Sequence, residues 1–239
     1  MSAPGASGWS HWWRSRLCRE WRLKAQLSAA VAPAFLLGYF WIQRHPFFAA
    51  HHPPETALDA AIGFAPGWTW VYESLYIPLN LVAWLSRERG ELFRLVLAIG
   101  IASVVGFGIF VLYPTVGPRP PMDQSGGLYG MVVLFDRPGN ALPSLHAALL
   151  ACTLTHAARI GLKYLWLGAL IVWSGLILYA TLATKQHYAV DLAAGFALGL
   201  IATWLAWLGA GQTAPSGDAL SASSKRLSNS GRVSQEGLR

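Results

Sequence analysis

Charged residues are scarce in this chain of 239 residues, at 12% of the total, whereas hydrophobic residues make up 54%. A soluble domain carries about 25% charged residues, so the composition excludes an ordinary soluble protein. Cysteine is also rare, with Cys18 and Cys152 alone in the sequence. Because the two are expected at different depths of a membrane, neither a disulfide nor a zinc cluster is predicted.

Long apolar runs are abundant instead. A membrane-spanning helix needs about 20 mostly apolar residues, and six runs are near this length: 26–43, 69–85, 93–112, 143–158, 164–183 and 188–208. The fourth run is short. The 12 tryptophans agree with a membrane location, since tryptophan gathers at bilayer interfaces. We therefore predict an all-α integral membrane protein with six transmembrane helices in one bundle.

The basic residues predict the topology of these six spans. The net charge is +7, and fourteen of the 18 Lys and Arg residues fall on one side. They are Arg14, Arg16, Arg19, Arg22, Lys24, Arg87, Arg89, Arg94, Arg159, Lys163, Lys225, Arg226, Arg232 and Arg239. By the positive-inside rule this side is cytoplasmic, and both termini lie there. The charge therefore indicates topology, and no nucleic-acid partner is expected.

The chain divides into three regions. Residues 1–25, with tryptophans among arginines, are predicted to form a cytoplasmic basic and aromatic interfacial segment. Residues 26–208 form the six-helix transmembrane catalytic domain, and the Ser- and Gly-rich residues 209–239 a disordered cytoplasmic tail. The high Ala, Trp and Arg content and the short loops favour a bacterial inner membrane.

Arginine 119 belongs to the first of three polar segments on the predicted outer side, residues 113–121, "YPTVGPRPP". A basic residue on that side opposes the topology signal, which suggests a specific task. The prolines stiffen the loop, and the planar guanidinium suits a phosphate because it donates two parallel hydrogen bonds. The alternative is an arginine whose stem lies along the bilayer edge with its charge in water.

The second polar segment is residues 139–151, "GNALPSLHAALLA". Pro143 suits the first turn of a helix, which places Ser144, Leu145 and His146 in the opening turn. Free backbone N–H groups there form an anion site, and His146 could exchange a proton with the bound group. The alternative is that the serine caps the helix and the histidine fills a polar gap.

The third polar segment is residues 184–191, "TKQHYAVD". His187 and Asp191 are four residues apart and would share one face of a helix. A carboxylate that accepts from one ring nitrogen leaves the other as a nucleophile, and Lys185 adds a positive charge for an anion. The alternative is a hydrogen bond that merely satisfies two polar groups.

Together the three segments describe a pocket for a tetrahedral oxyanion, with a nucleophile on one side and an acid on the other. This arrangement fits phosphoryl transfer through a phosphohistidine. The cations and the helix dipole can neutralise the transferred group, so no metal or other cofactor is expected.

The ordered motifs "GPRP", "PSLHAA" and "TKQHYAVDLAAG" resemble the signature of the type 2 phosphatidic acid phosphatase superfamily, which includes the vanadium haloperoxidases. They look most similar to the branch that contains inositol phosphorylceramide synthases. The resemblance implies a nucleophile, its orienting partner and a general acid, which are His187, Asp191 and His146. It implies phosphate binding by Arg119, Ser144 and the opening turn with Leu145, and by Lys185 as a substitute cation.

The sequence departs from the superfamily pattern at two positions. Leu112 stands where the first motif usually has a lysine, and Thr181 stands where the third usually has an arginine. The pocket therefore carries fewer formal positive charges than its relatives, which leaves its substrate preference open.

Three functions are compatible with these features. The first is a membrane-embedded, metal-independent hydrolase that removes phosphate from a lipid phosphate at the non-cytoplasmic face. The second is a phosphotransferase that moves a phosphoryl group or a phospho-headgroup onto an acceptor alcohol. The third is a proton-coupled transporter, which would need polar residues at mid-depth, and spans three to six contain almost none. Nothing in the sequence indicates an oligomeric state.

Overall fold

The structure, a computed structural model, describes Trp12, residues 14–120 and residues 127–208. The first residues of the predicted interfacial segment and the whole predicted tail 209–239 lie outside this part. Within it every regular element is helical. The helices are α1 Trp21–Arg44, α2 Ala57–Ala61, α3 Thr69–Glu73, α4 Tyr76–Leu85, α5 Arg89–Leu112, α6 Gly127–Phe135, α7 Leu145–Arg159, α8 Tyr164–Ala183 and α9 Ala189–Leu208, with a 3-10 turn at Pro66–Trp68.

Four of the helices, α1, α5, α8 and α9, are long and apolar enough to cross a membrane, which confirms an all-helical integral membrane protein. The other two predicted spans are less regular. Residues 69–85 are divided into α3 and α4, and α7 has 15 residues, about 22 Å of helix against a hydrocarbon core of about 30 Å. Six spans with cytoplasmic termini therefore remain a prediction.

The break between α3 and α4 has a cause in the sequence. Pro78 has no N–H to donate to the carbonyl of Ser74 four residues earlier, and its ring would clash with that carbonyl. The Ser74 carbonyl instead accepts from the Ile77 N–H at 2.9 Å. The helix restarts at Tyr76, which places Pro78 in the first turn of α4, where a proline is tolerated.

Helix α7 is the central helix of the bundle and carries one side of the candidate site. It packs against α4, α5 and α8, and Ala147, Ala148, Leu150 and Ala151 are fully buried. On the α9 side, a β-carbon built on Gly199 would lie 2.2 Å from the Ala148 carbonyl oxygen. Small residues on both helices therefore let the two backbones approach closely, as in many membrane bundles.

Replacing Gly199 with alanine is expected to destabilise the bundle by roughly 1–3 kcal/mol, because the new methyl group meets backbone rather than a movable side chain. Thermal unfolding in detergent measures the change. The matched control is Gly175→Ala in α8, where a β-carbon meets nothing within 4 Å. Equal unfolding temperatures for the two variants would contradict the packing described here.

The described part of the N-terminal segment binds the end of the bundle opposite the candidate site. The Arg16 guanidinium donates to the Leu85 carbonyl at 3.0 Å, and the Lys24 ammonium donates to the Trp84 carbonyl at 2.7 Å. These carbonyls belong to the last turn of α4, whose negative dipole end favours cations. Some of the basic residues that indicate topology therefore also cap a helix.

Candidate active site

The first and second polar segments meet through Thr115. Its backbone forms isolated bridges with His51 on one side and Asn140 on the other. The Ala141 N–H donates to the Thr115 carbonyl at 3.0 Å, and the Leu142 N–H donates to its hydroxyl oxygen at 2.6 Å. The loop that carries Arg119 is thereby fixed next to the start of α7.

The third polar segment contacts both of the others. A β-carbon built on Gly117 would lie 2.2 Å from the Gln186 carbonyl oxygen, so the first segment touches the turn before His187. The Ser144 N–H donates to the Asp191 carbonyl at 3.0 Å, which joins the second segment to α9. The three segments, separated by many residues in the chain, form one site at one end of the bundle.

Gly117→Ala is expected to lower turnover by about a hundredfold, because displacing the loop by even 1 Å misplaces the groups that it positions. The matched control is Gly63→Ala, whose β-carbon meets nothing within 4 Å and whose activity should equal wild type. The measurement is steady-state turnover, by both purified variants, of the lipid phosphate that the sequence predicts as the substrate. Wild-type turnover by Gly117→Ala would show that the close approach is unimportant.

His187 lies in the turn between α8 and α9. The Gln186 N–H donates to the Thr181 carbonyl and the Lys185 N–H to the Leu182 carbonyl, the pair of bonds that defines a Schellman motif. Lys185 occupies its left-handed position, with φ of 55°. This helix end reverses the chain sharply and directs His187 towards the start of α7.

The His187 ring has a defined tautomer. Its Nδ1 lies 2.8 Å from the Ala141 carbonyl oxygen, and because a carbonyl can only accept, Nδ1 carries the proton. In the neutral ring, Nε2 then holds a lone pair, as a nucleophile requires. His187 is buried and lines the cavity described below.

Asp191 lies near His187 but does not form the hydrogen bond with it that the sequence suggested. Its Oδ2 lies 3.7 Å from Nδ1 and accepts from the Tyr188 N–H at 2.8 Å. The expected shared helix face is not formed, because α9 begins at Ala189 and leaves His187 in the preceding turn. The Ala141 carbonyl holds the Nδ1 proton, and Asp191 as orienting partner stays a prediction.

His146 lies in the first turn of α7 and faces His187. The centroids of the two rings are 6.0 Å apart, and the His146 ring stacks on Tyr72 of α3 with centroids 4.3 Å apart. Both histidines line the same cavity. A group of atomic size held between them could contact both rings.

Ser144 and Leu145 are occupied by the helix start itself. The Ser144 hydroxyl oxygen accepts from the Ala147 N–H at 3.4 Å as an N-cap and is fully buried. The Leu145 side chain packs at the position of Gly106, where a β-carbon would lie 2.7 Å from Cδ2. The turn also offers a phosphate its backbone N–H groups and dipole. Leu145 lines the cavity, and phosphate binding by Ser144 and Leu145 stays a prediction.

The two predicted cations are both engaged. The Arg119 guanidinium binds the backbone carbonyl and the carboxylate of Asp136. Burial would lower the pKa of Arg119, but the Asp136 carboxylate raises it above its ordinary value, so the guanidinium stays charged. The Lys185 ammonium donates to the Asp59 carbonyl at 2.7 Å and, among the described residues, is not part of the cavity wall. Phosphate binding by either residue stays a prediction.

Asp136 is a site residue that the sequence reasoning missed. It follows α6 directly, and besides Arg119 it accepts from the Tyr39 hydroxyl at 2.6 Å and from the Asn140 amide at 3.1 Å. It thereby joins α1 to the loops before α6 and α7. One signal in the sequence could have revealed it. Arg119 had been assigned no counter-ion, and Asp136 is an acidic residue on the same predicted side of the membrane.

The cavity at this site has a volume of about 460 Å³. Its walls are mostly aromatic and aliphatic side chains of α1, α3, α4 and α6, together with the two histidines. Among the described residues, no group of three or more His, Cys, Asp or Glu side chains could hold a metal ion.

The comparison with protein families decides the identity. The model of the PAP2 superfamily matches residues 40–205, which include all three polar segments. The chain belongs to the PAP2 superfamily. The superfamily resemblance stated from the motifs is therefore confirmed, while the narrower branch remains a prediction.

This PAP2 superfamily member was also compared with solved structures and with curated proteins. A crystal structure of LpxE from Aquifex aeolicus is similar to it with a TM-score of 0.45 and 19% sequence identity. The similarity covers 72% of this chain and 93% of that one. A search of curated proteins finds no match.

Proposed function

We propose that this protein is a membrane-embedded phosphoric-ester hydrolase that removes phosphate from a lipid phosphate through a phosphohistidine intermediate. The observation that carries the proposal is the hydrogen bond from His187 Nδ1 to the Ala141 carbonyl, at 2.8 Å. It leaves Nε2 as the nucleophile in a cavity that His146 also lines. Membership of the PAP2 superfamily supports the same chemistry.

The reaction follows in two balanced steps. Nε2 of His187 attacks phosphorus, and the bond from phosphorus to the lipid oxygen breaks as His146 gives that oxygen a proton. Water then attacks the phosphohistidine, His146 takes its proton, and the phosphorus–nitrogen bond breaks to release phosphate. Arg119, the opening turn of α7 and Lys185 are the proposed phosphate-binding groups, and Asp191 supports the positive charge that develops on His187.

The proposed location of this chemistry is the non-cytoplasmic face of a bacterial inner membrane. The site lies at the bundle end with few basic residues, while Arg16 and Lys24 bind at the opposite end. Counting α3 with α4 as one pass and α7 as another gives six passes with cytoplasmic termini. The alternation of basic and neutral loops supports this topology.

The second candidate function is a phosphotransferase, and the volume of the cavity supports it. At about 460 Å³ the cavity is much larger than the roughly 30 Å³ that a water occupies. An acceptor alcohol could enter it and replace water in the second step. The two functions share every residue proposed above and differ in the acceptor.

Phosphate release by the purified protein tests the proposal. We expect release from phosphatidate in detergent micelles with EDTA present, since the mechanism uses no metal. Addition of candidate alcohols, with analysis of the lipid products, separates the hydrolase from the transferase. Proton flux across proteoliposomes without turnover of any lipid phosphate would instead favour the transporter and contradict the proposal.

A further inference from the structure

We infer that this site selects phosphoric esters that carry a single negative charge, and that Asp136 is the residue responsible. The inference rests on the proposed function and names its substrate class. Such esters are phosphodiesters, or phosphomonoesters in their monoanionic form. The experiment below distinguishes these two sources.

Among the described residues, the cavity wall carries acidic side chains and neither lysine nor arginine. The acidic side chains are Glu73 of α3 and Asp136. Arg119 does not belong to that wall, and it binds Asp136 through both terminal nitrogens of its guanidinium. A phosphate that enters the cavity therefore meets a carboxylate before it meets the arginine.

Asp136 is firmly held in this position. Its side chain is 14% exposed, and it accepts from the Tyr39 hydroxyl at 2.6 Å and from the Asn140 amide at 3.1 Å. Three partners from separate segments of the chain thus fix the position of its carboxyl group. The pair of Asp136 with Arg119 contributes no net charge to the site.

Other positions do not supply the missing cations. Leu112, which replaces the usual lysine, is 71% exposed. Thr181, which replaces the usual arginine, is fully buried and its hydroxyl donates to the Ile177 carbonyl at 2.8 Å. Lys185 donates to the Asp59 carbonyl and lies outside the described cavity wall. On the wall itself the opening turn of α7 is a positive group, equivalent to about half a unit charge.

This charge balance opposes a second negative charge on the substrate. A phosphomonoester loses its second proton with a pKa of about 6 and is mainly dianionic at pH 8, whereas a diester keeps one charge. Because Asp136 already pairs with Arg119, a further negative charge on the phosphate gains no compensating attraction from that guanidinium, and at the short distances inside the cavity it should weaken binding by about tenfold or more. The monoanionic ester avoids this repulsion.

The test compares two lipids that differ by one methyl group and one charge, phosphatidate and phosphatidylmethanol with identical acyl chains. The affinity of the detergent-solubilised protein for each is measured between pH 5 and pH 8 and expressed as a ratio. The ratio is needed because other titratable groups face the site and act on both lipids. They are His146, His187, Glu73, Asp191, Tyr39, Tyr72, Tyr76 and Arg119.

For wild type, the affinity ratio of phosphatidate to phosphatidylmethanol should fall steadily above about pH 6, as the monoester loses its second proton. Asp136→Asn should raise the ratio at pH 8 by about tenfold or more. Glu73→Gln should also raise the ratio. If Asp136→Asn binds neither lipid, the result with Glu73→Gln decides the test. A ratio independent of pH in wild type, or unchanged in both variants, would overturn the inference.

Turnover of the same lipids separates this inference from the proposed function. If the affinity ratios behave as expected but neither lipid is converted, the hydrolase proposal fails and the charge selection stands. If phosphatidate is converted at the same relative rate at pH 5 and pH 8 with unchanged affinity ratios, the hydrolase stands and the charge selection fails. Conversion of phosphatidylmethanol identifies diesters as a source of substrate.

Discussion

Replacing His187 with alanine is expected to reduce phosphate release by about four orders of magnitude or more, because removal of a nucleophile eliminates the covalent path. The geometry provides the reason. The imidazole Nε2 has its lone pair free because the Ala141 carbonyl fixes the proton on Nδ1. An alanine offers neither group, and no neighbouring side chain on the third polar segment occupies the same position.

The measurement is single-turnover and steady-state phosphate release from phosphatidate by matched purified proteins. His52→Ala is the control, since His52 is an exposed histidine of the loop before α2, and it should retain wild-type activity. Unfolding temperature and elution profile check that both variants are folded. A His187→Ala protein with wild-type turnover would contradict the assignment.

Replacing His146 with alanine is the change with the next largest expected effect, a loss of about 10²- to 10⁴-fold. His146 is proposed to act twice, as the acid for the leaving oxygen and as the base for water. Its ring centroid lies 6.0 Å from that of His187, so one phosphoryl group between the rings can be served by both. The rate of the second step should therefore fall as much as the rate of the first.

An aryl phosphate with a good leaving group separates the two roles. With this substrate the first step needs no acid, so His146→Ala should give a burst of the aryl alcohol followed by slow release of phosphate. Wild type should show no comparable burst. If His146→Ala gave no burst of the aryl alcohol, or if its activity fell by the same factor with aryl and with alkyl phosphates, His146 would not be the general acid.

The apolar runs predicted two of the four long apolar helices to within one residue. The predicted span 164–183 coincides with α8, Tyr164–Ala183, and the predicted span 188–208 differs from α9 by one residue at its start. By contrast α5 begins at Arg89, before the predicted 93, because a capping box between Glu88 and Glu91 stabilises a polar first turn. Hydropathy does not detect such a turn, since it depends on side-chain hydrogen bonds to the backbone.

The candidate site was only partly predictable from the sequence. The three polar segments could be placed on one side because loop charge and helix number determine that side. Their contacts could not, because the Ala141 carbonyl that holds His187 and the close approach of Gly117 to Gln186 are backbone features. These depend on tertiary packing and leave no distinctive side chain to recognise.

The two predicted cations illustrate the same limit. Arg119 and Lys185 were expected to face the phosphate, whereas Arg119 binds Asp136 and Lys185 binds the Asp59 carbonyl. Asp136 is 17 residues from Arg119 and Asp59 is 126 residues from Lys185, so both partners lie outside the local motifs, which contain no information about them. The charge of the site is therefore a property of the fold rather than of its motifs.

Direct detection of the phosphohistidine tests the central claim. Purified protein is mixed with lipid phosphate labelled with ³²P, quenched in base because phosphohistidine is labile in acid, and digested for mapping by mass spectrometry. We expect the label on His187 in wild type and no label on the His187→Ala protein. Label on His146 or another residue, or turnover without any labelled protein, would contradict the account.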